Sequence, residues 1–366
     1  MSATLSLYVA RRFLMTLAGA AAAVYALIIV GNMIELVRRA GDEGEFLRLL
    51  SLAALMTPKI ALQVLPFTIM LATLAAYAAL ARSSELVVTR AAGVSAWAVI
   101  APSAICAAIL GALGFALLNP VAAAMQSRAE TVEARVFGGG ERFSVSAEGL
   151  WLRQAAENGG QTVLHARGAD PSATELTGVT LYIYGETDRL TRRVDAERAT
   201  LSDGAWRLEQ ARLRNVDLDE GALGAVERRR VYETPTPLTS SRILDSFEPP
   251  ETISFWALPR FIETLEEAGF PAVRHRLHWH AQLAQPLLFA AMVLIGAAFS
   301  MRHARLGGLG AMALWAALTG FAFFFLSDVA KALGASGAVP APLAAWAPPA
   351  AAALFASGLI LHLEDG

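Results

Sequence analysis

Two residue types are almost missing from this chain. Of its 366 residues one is cysteine, Cys106, and two are lysine, Lys59 and Lys331. A lone cysteine excludes any disulfide within the chain. It leaves the compartment open, because a domain of ordinary size can stand on its own core. The scarcity of lysine excludes more. A nucleotide-binding P-loop needs a Lys followed by Ser or Thr, but Lys59 precedes Ile60 and Lys331 precedes Ala332. The chain therefore has no Walker A of its own. A formal charge of −2 gives no nucleic-acid footprint. No Gly-x-Ser-x-Gly elbow accompanies the Ser and Asp residues of the polar middle. The run His275-Arg-Leu-His-Trp-His280 invites a metal reading, with His275 and His278 at i, i+3. No carboxylate or cysteine completes a recognisable set. Beside Arg274 and Arg276 the run reads as a basic, aromatic interfacial collar.

What the chain has in quantity is apolar sequence, and its arrangement is informative. Uncharged stretches run over Phe13–Met33, Ile60–Ala81, Ala91–Ala124, Ala281–Met301, Leu306–Ser327 and Ala332–Leu363. Each supplies the ~20 residues that cross a ~30 Å hydrocarbon core. Mean hydropathy is +0.47 despite a polar middle. Soluble core helices carry a polar stripe and these stretches carry none. The reading is an integral membrane protein with three spans, one inserted extramembrane domain and three further spans. Arg11 and Arg12 precede an apolar run too long for a signal peptide's h-region, so Phe13 onward reads as an uncleaved first span. With the N-terminus inside, the short cytoplasmic segments hold Arg11, Arg12, Arg82, Arg90, Arg302 and Arg305. The opposite loops hold Arg38, Arg39, Arg48 and Lys331. This small bias places both termini in the cytoplasm and the middle domain outside.

Between about Phe143 and Pro250 short alternating runs replace long apolar ones. Gly149–Arg153, Thr162–Ala166 and Val179–Tyr184 read as strands, and Ala199–Arg214 as a hairpin turning at Asp203-Gly204. The class is all-β: a sandwich, an open barrel or a jellyroll. Pro235, Pro237, Pro249 and Pro250 mark its exit, and Ser254–Gly269 reads as an amphipathic helix. Asp328 and Lys331, at i, i+3, read as a helix-end pair. Cys106 sits among Ala, Ile and Leu as a small apolar filler.

Two features point towards function. The segment Arg82–Ser95 opens with serines ahead of Glu85 and closes near Gly93, a short capped helix on the inner membrane face. Spacing alone is served equally by a plain connecting helix. The second feature is a group of arginines at the outer ends of spans: Arg38, Arg39, Arg128, Arg135, Arg274 and Arg276. Arginine at that depth suits lipid phosphates, and it also serves as an ordinary interfacial anchor.

The whole chain resembles the LptF/LptG (YjgP/YjgQ) permeases of the lipopolysaccharide exporter, and the LptG branch more than the LptF branch. The resemblance rests on the span order and on Ser84-Glu-Leu-Val-Val-Thr-Arg-Ala-Ala-Gly93. It rests also on Phe137-Gly-Gly with Glu148-Gly-Leu-Trp151, the Ala199–Arg214 hairpin, Gln285-Pro286, and Gly334, Pro340 and Trp346-Ala-Pro348. It implies six transmembrane helices with an inserted periplasmic β-jellyroll. Spans one to three would occupy 1–135 with a coupling helix at about 82–95, the jellyroll 136–250, and a connecting helix with spans four to six 251–366. It implies a permease without a catalytic site or cofactor of its own, paired with a homologous permease in the inner membrane. A cytoplasmic ATPase dimer would bind ATP and magnesium, and a single-span periplasmic jellyroll protein would take the lipopolysaccharide onward. Glu85, with Ser84, Leu86 and Arg90, would dock in the ATPase. The six arginines would meet lipid, and spans one and five would form seams with the partner permease. The competing reading is a membrane-anchored β-domain scaffold that moves nothing.

Overall fold

The structure, a computed structural model, describes residues 2–40, 46–137, 143–146, 149–155, 161–170, 174–185, 189–202, 204–217, 222–223, 225–236, 249–267, 270–301 and 309–365. Asp203, Pro237, Gly269, Arg302, Arg305, Glu148 and the Gly pair after Phe137 lie outside the described residues, as do the first residues of the expected span Leu306–Ser327. The chain divides into two compact units. One holds residues 1–133, 254–256 and 273–366, and the other holds 134–253 and 257–272.

The first unit is helical. Its helices are α1 (Ala3–Ala40), α2 (Phe46–Arg82), α3 (Glu85–Ala91), α4 (Ala96–Leu113) and α5, which starts at Asn119 and runs on to Phe137. After the second unit come α7 (Val273–Leu283), α8 (Gln285–Met301), α9 (Leu309–Ala335) and α10 (Ala341–Asp365). Among the described residues, five helices or helix runs are long and apolar enough to cross a membrane, and six if the bent pair α7–α8 is one span. This is the membrane α-helical class expected from the apolar runs. The rods outlast those runs. The apolar stretch Phe13–Met33 sits inside the 38 residues of α1, roughly 57 Å at 1.5 Å per residue.

One span is bent and another carries a π-turn, each beside a proline. The fourth bends by 50° between Leu283 and Gln285. Pro286 is the second residue of α8, where its missing N–H costs nothing but its ring ends the preceding helix. Between α4 and α5 the chain makes a π-turn over Gly114–Leu118. Pro120 has no N–H to offer the Ala116 carbonyl, four residues back. That carbonyl instead accepts the Trp256 indole N–H at 3.0 Å. The Asn119 side-chain oxygen accepts the Phe255 amide at 2.8 Å.

Helix α8 is the hub of the unit, packing on α2, α4 and α10. Phe289, Ala291, Val293, Ile295 and Ala297 on it are buried. Small residues let backbones meet. A Cβ at Gly296 would lie 2.7 Å from the Met70 carbonyl oxygen, and one at Gly111 would lie 2.6 Å from the Pro286 Cα.

The second unit carries an antiparallel sheet: β1 (Phe143–Ser146), β2 (Gly149–Ala155), β3 (Gln161–Ala169), β4 (Glu175–Tyr184), β5 (Leu190–Ser202), β6 (Ala205–Asp217), β7 (Ala222–Leu223) and β8 (Glu227–Pro235). Neighbours follow chain order, except that β8 returns to pair with β6. The hairpin read from the sequence is β5–β6, with Leu201 opposite Trp206 and Gly204 at φ +76°. One face is buried as a ladder of Leu152, Leu164, Leu181, Val194 and Leu213. Further along, the buried set changes phase in three strands together. Leu176 gives way to Val179, Ala196 to Ala199, and Leu208 to Ala211. Gly178 (φ +62°) and Gln210 (φ +57°) sit at these steps. The register is the same on both sides of these steps, so the strands change phase together without a bulge, and one face stays apolar throughout. Helix α6 (Leu258–Glu267) packs on β1, with Leu258, Ile262 and Leu265 buried along one stripe. It is shorter than the expected Ser254–Gly269.

Candidate functional site

Helix α1 has an unusual burial pattern. Val9, Phe13 and Leu17 are buried near its start and Leu36 near its end, with no buried side chain between. Only 11% of its apolar stretch is buried, as in α9, against 50% for α2. The helix packs along α2 and donates Asn32 Nδ2 to the Thr57 hydroxyl at 3.3 Å, yet most of the surface of its middle is uncovered. Each end carries a polar cluster that fastens it further.

At the N-terminal end the fastening is to α3. The Tyr8 hydroxyl donates to Glu85 Oε2 at 2.8 Å. Arg12 Nη1 donates to the Tyr8 hydroxyl at 2.9 Å and lies 3.7 Å from Glu85 Oε1. Ser83 donates to Glu85 Oε1 at 2.8 Å. The Ser83 and Tyr8 hydroxyls, with the Arg12 charge behind them, hold the Glu85 carboxyl below the usual carboxylate range. A small pocket beside the cluster is lined by Leu5, Val9, Leu80, Leu86 and Val99.

This arrangement revises the sequence picture of α3. Ser84 occupies the N-cap position but sits at φ +59° and makes no side-chain cap, so the expected serine cap does not form. The left-handed turn it makes separates α2 from α3. Of the residues assigned to docking, Glu85 turns towards α1 and Leu86 is buried in the helical core. Arg90 is half-buried and Ser84 is exposed. Val87 and Val88 are the exposed apolar residues, 64% and 67% accessible. The sequence reading missed them, although Leu86 and Arg90, one turn apart, already put the two valines on the other face.

At the C-terminal end of α1, Arg38 and Arg39 lie on the last helical turn. Arg38 donates Nε to Glu35 Oε2 and Nη2 to Glu35 Oε1, both at 3.0 Å. Arg39 donates Nε to Glu35 Oε1 at 2.8 Å and Nη1 to Glu133 Oε1 at 3.3 Å. The second contact reaches α5. Beneath it Leu36 packs with Leu49, Leu52, Ala53 and Ala129. Neither Glu35 nor Glu133 featured in the sequence reading. Glu35 at i−3 and i−4 from the two arginines was the available signal. Two guanidinium and two carboxylate charges cancel here.

Of the other expected lipid-contact residues, Arg128 is exposed on α5, and the side chain of Arg135 lies outside the described residues. Arg274 and Arg276 are exposed on α7. The collar reading fits these two, but not His275 between them, which is 5% accessible. His278 is half-buried, with its Nε2 2.6 Å from Gln282 Nε2 one turn on. Lys331 and Asp328 pair at 3.6 Å, as their spacing suggested.

With this geometry in hand, comparison with known proteins is informative. The sequence model of the family described as lipopolysaccharide export system permease LptF/LptG matches residues 7–362. Lipopolysaccharide export system permease protein LptG of Escherichia coli (strain K12) is 25% identical over 304 residues, covering 81% of each chain. LptG of Haemophilus influenzae (strain Rd) is 24% identical over 293 residues, covering 77% of each.

Proposed function

This chain belongs to the LptF/LptG family of lipopolysaccharide export permeases, and from that premise we propose that it is the permease subunit of an ATP-driven exporter. It sits in the inner membrane with its sheet domain in the periplasm. It draws lipopolysaccharide from the outer leaflet and passes it to a β-jellyroll bridge leading to the outer membrane. The energy comes from a cytoplasmic ATPase dimer that holds ATP and magnesium. The second half of the membrane assembly is a homologous permease, and a single-span jellyroll protein receives the lipid.

The observation that carries this reading is the state of α1, which packs on α2 but is largely uncovered through its middle and is fastened at both ends. A span with so much uncovered surface suits a seam with another subunit, and α9 is equally uncovered. Trp315, Phe321 and Phe325 are exposed along α9. A seam that opens must be weakly packed, because packed cores resist graded deformation. In this reading α3 receives the ATPase through exposed Val87 and Val88. Glu85 joins that contact to the N-terminal end of α1. At the far end Arg38 and Arg39 meet lipid phosphates as bidentate donors.

The test is reconstitution. The chain, a homologous permease and the ATPase are co-expressed and purified, and the complex is placed in liposomes loaded with lipopolysaccharide. Lipopolysaccharide-stimulated ATP turnover and transfer of lipid to a soluble jellyroll acceptor are the expected results. A chain that recruits no ATPase and moves no lipid is a membrane-anchored scaffold, and this reading is then wrong.

A further inference from the structure

The arginines at the end of α1 are already occupied. Arg38 presents its Nε and Nη2 edge to the two oxygens of Glu35, which is the fork geometry a phosphate would use. Arg39 is shared between Glu35 and Glu133. All four side chains reach solvent: Arg38 is 75% accessible, Arg39 52%, Glu35 40% and Glu133 30%. A ligand can reach the forks, but only by displacing a carboxylate that carries one negative charge.

We propose that Glu35 is a charge-threshold residue that selects lipids bearing phosphomonoester groups over phosphodiester lipids. The proposal rests on the reading of Arg38 and Arg39 as phosphate contacts. A phosphodiester headgroup carries one negative charge, the same as the resident carboxylate. It also lacks the advantage of tethering, since Glu35 is held one turn away on the same helix. Exchange therefore gains little. A phosphomonoester carries ≈ −1.5 to −2 charges at pH 7 and three acceptor oxygens. It can engage both guanidiniums at once, while Glu35 and Glu133 turn to solvent. The cluster thus stays closed to the bulk lipid of a membrane and opens to a more highly charged one. The returning carboxylate also helps to expel the lipid when release is required. Glu133 does the same for Arg39 alone, as the weaker partner.

Binding to the purified full-length chain, in nanodiscs of zwitterionic lipid, tests this with fluorescent phosphatidic acid as the phosphomonoester and phosphatidylglycerol as the phosphodiester. The parent is expected to prefer phosphatidic acid. Glu35→Gln is expected to raise phosphatidylglycerol binding about 3–5-fold and phosphatidic acid binding less, since the competitor removed is an exposed ion pair. Glu133→Gln should move selectivity the same way by about 2-fold or less, and it keeps the test open if Glu35→Gln folds poorly. The double variant Arg38→Gln/Arg39→Gln is the control for the underlying reading. If it leaves phosphatidic acid binding intact, the arginines hold no phosphate and the proposed lipid contact itself fails. If it weakens binding but Glu35→Gln leaves the preference unchanged, or weakens both lipids equally, Glu35 only positions the arginines and the inference is overturned. Inorganic phosphate is titrated as a competitor. Lipid displaced by phosphate with the same ranking of variants supports the phosphate group as the recognised feature. A ranking seen with phosphate and absent with either lipid marks a free-anion site and overturns lipid selection.

Discussion

The two ends of α1 use the same residue types for different tasks. At the N-terminal end the carboxylate comes from another element. Glu85 lies 77 positions from Tyr8 and receives hydroxyls from Tyr8 and Ser83 with Arg12 alongside. At the C-terminal end the carboxylate is on α1 itself, three and four residues from its arginines, and only Arg39–Glu133 leaves the helix. A cross-element cluster ties two bodies together, so moving one moves the other. The C-terminal cluster adds one contact to α5 above buried Leu36, and the rest of it is internal to α1. Its worth as stability is small, ≈ 0.2–0.5 kcal/mol per pair on an exposed helix, and its donors stay within reach of a competing anion. The N-terminal cluster is therefore suited to transmit force and the C-terminal cluster to bind and exchange a ligand.

The harshest test of the contrast is Glu85→Lys. It faces Arg12 with a second cation and removes the acceptor that Tyr8 and Ser83 share. Transport is expected to fall by about tenfold or more, with ATPase recovery reduced or hydrolysis no longer stimulated by lipid. Normal assembly together with normal transport would show that the cluster transmits nothing.

Next in size is Arg38→Glu/Arg39→Glu at the other end. With Glu35 and Glu133 it would gather four carboxylates, so phosphate binding should collapse while ATPase stoichiometry holds. Photocrosslinking to lipopolysaccharide from this turn, against exposed Leu27 as a control, is expected to drop several-fold. Arg38→Lys/Arg39→Lys should be milder, keeping the charge and losing the fork. A Glu pair that crosslinks and transports like the parent would reduce these arginines to anchors and erase the proposed difference between the ends.

A gentler probe is Tyr8→Phe. It deletes two exposed hydrogen bonds, the one Tyr8 donates to Glu85 and the one it accepts from Arg12, about 1 kcal/mol together, so amide exchange across α3 should quicken by roughly fivefold while ATPase binding persists. Acid should act in the same direction. The Glu85 carboxyl titrates below its ordinary 4.5, mainly through Ser83 and Tyr8. Its contribution is complete above that ordinary value and is lost as pH falls through the lowered one. Exchange at α3 that is indifferent to both Tyr8→Phe and acid would mean that α3 is held by Leu86 alone.

These clusters explain how far the sequence could be read. The spans were legible because an uncharged run of ~20 residues has few other uses. The β5–β6 hairpin was legible because Gly204 and its flanking alternation form a local signal. The phase change at Gly178 and Gln210 was not, since it reads locally as a lapse in alternation and acquires meaning only when neighbouring strands change phase together. Arg38 and Arg39 were found by composition and Glu35 was overlooked, although their spacing was in view. Glu133 was beyond reach, because nothing local brings α5 to the end of α1. That Leu86 is buried and Val87 and Val88 are exposed was out of reach for the same reason. Which face of a seven-residue helix is buried depends on where α1 lies.

The smallest expected effect comes from Cys106→Ala, and it supplies the instrument for the comparison. Cys106 lies on α4, partly buried against the core formed with α8, and belongs to neither polar cluster of α1. Among apolar neighbours it behaves as a small hydrophobe. Replacement by Ala removes one sulfur and should cost about 1 kcal/mol or less, with transport at the parental level. The chain is then free of cysteine, so single labels at exposed Leu7 and Ile34 report on the two ends of α1 separately. When ATPase is added, the label at Leu7 should shift and the one at Ile34 should not; when phosphatidic acid is added, the order should reverse. A severe loss of transport in a folded Cys106→Ala protein would give the thiol a role it is not expected to have. Labels that answer both additions together would make α1 one rigid rod, with no division of labour between its ends.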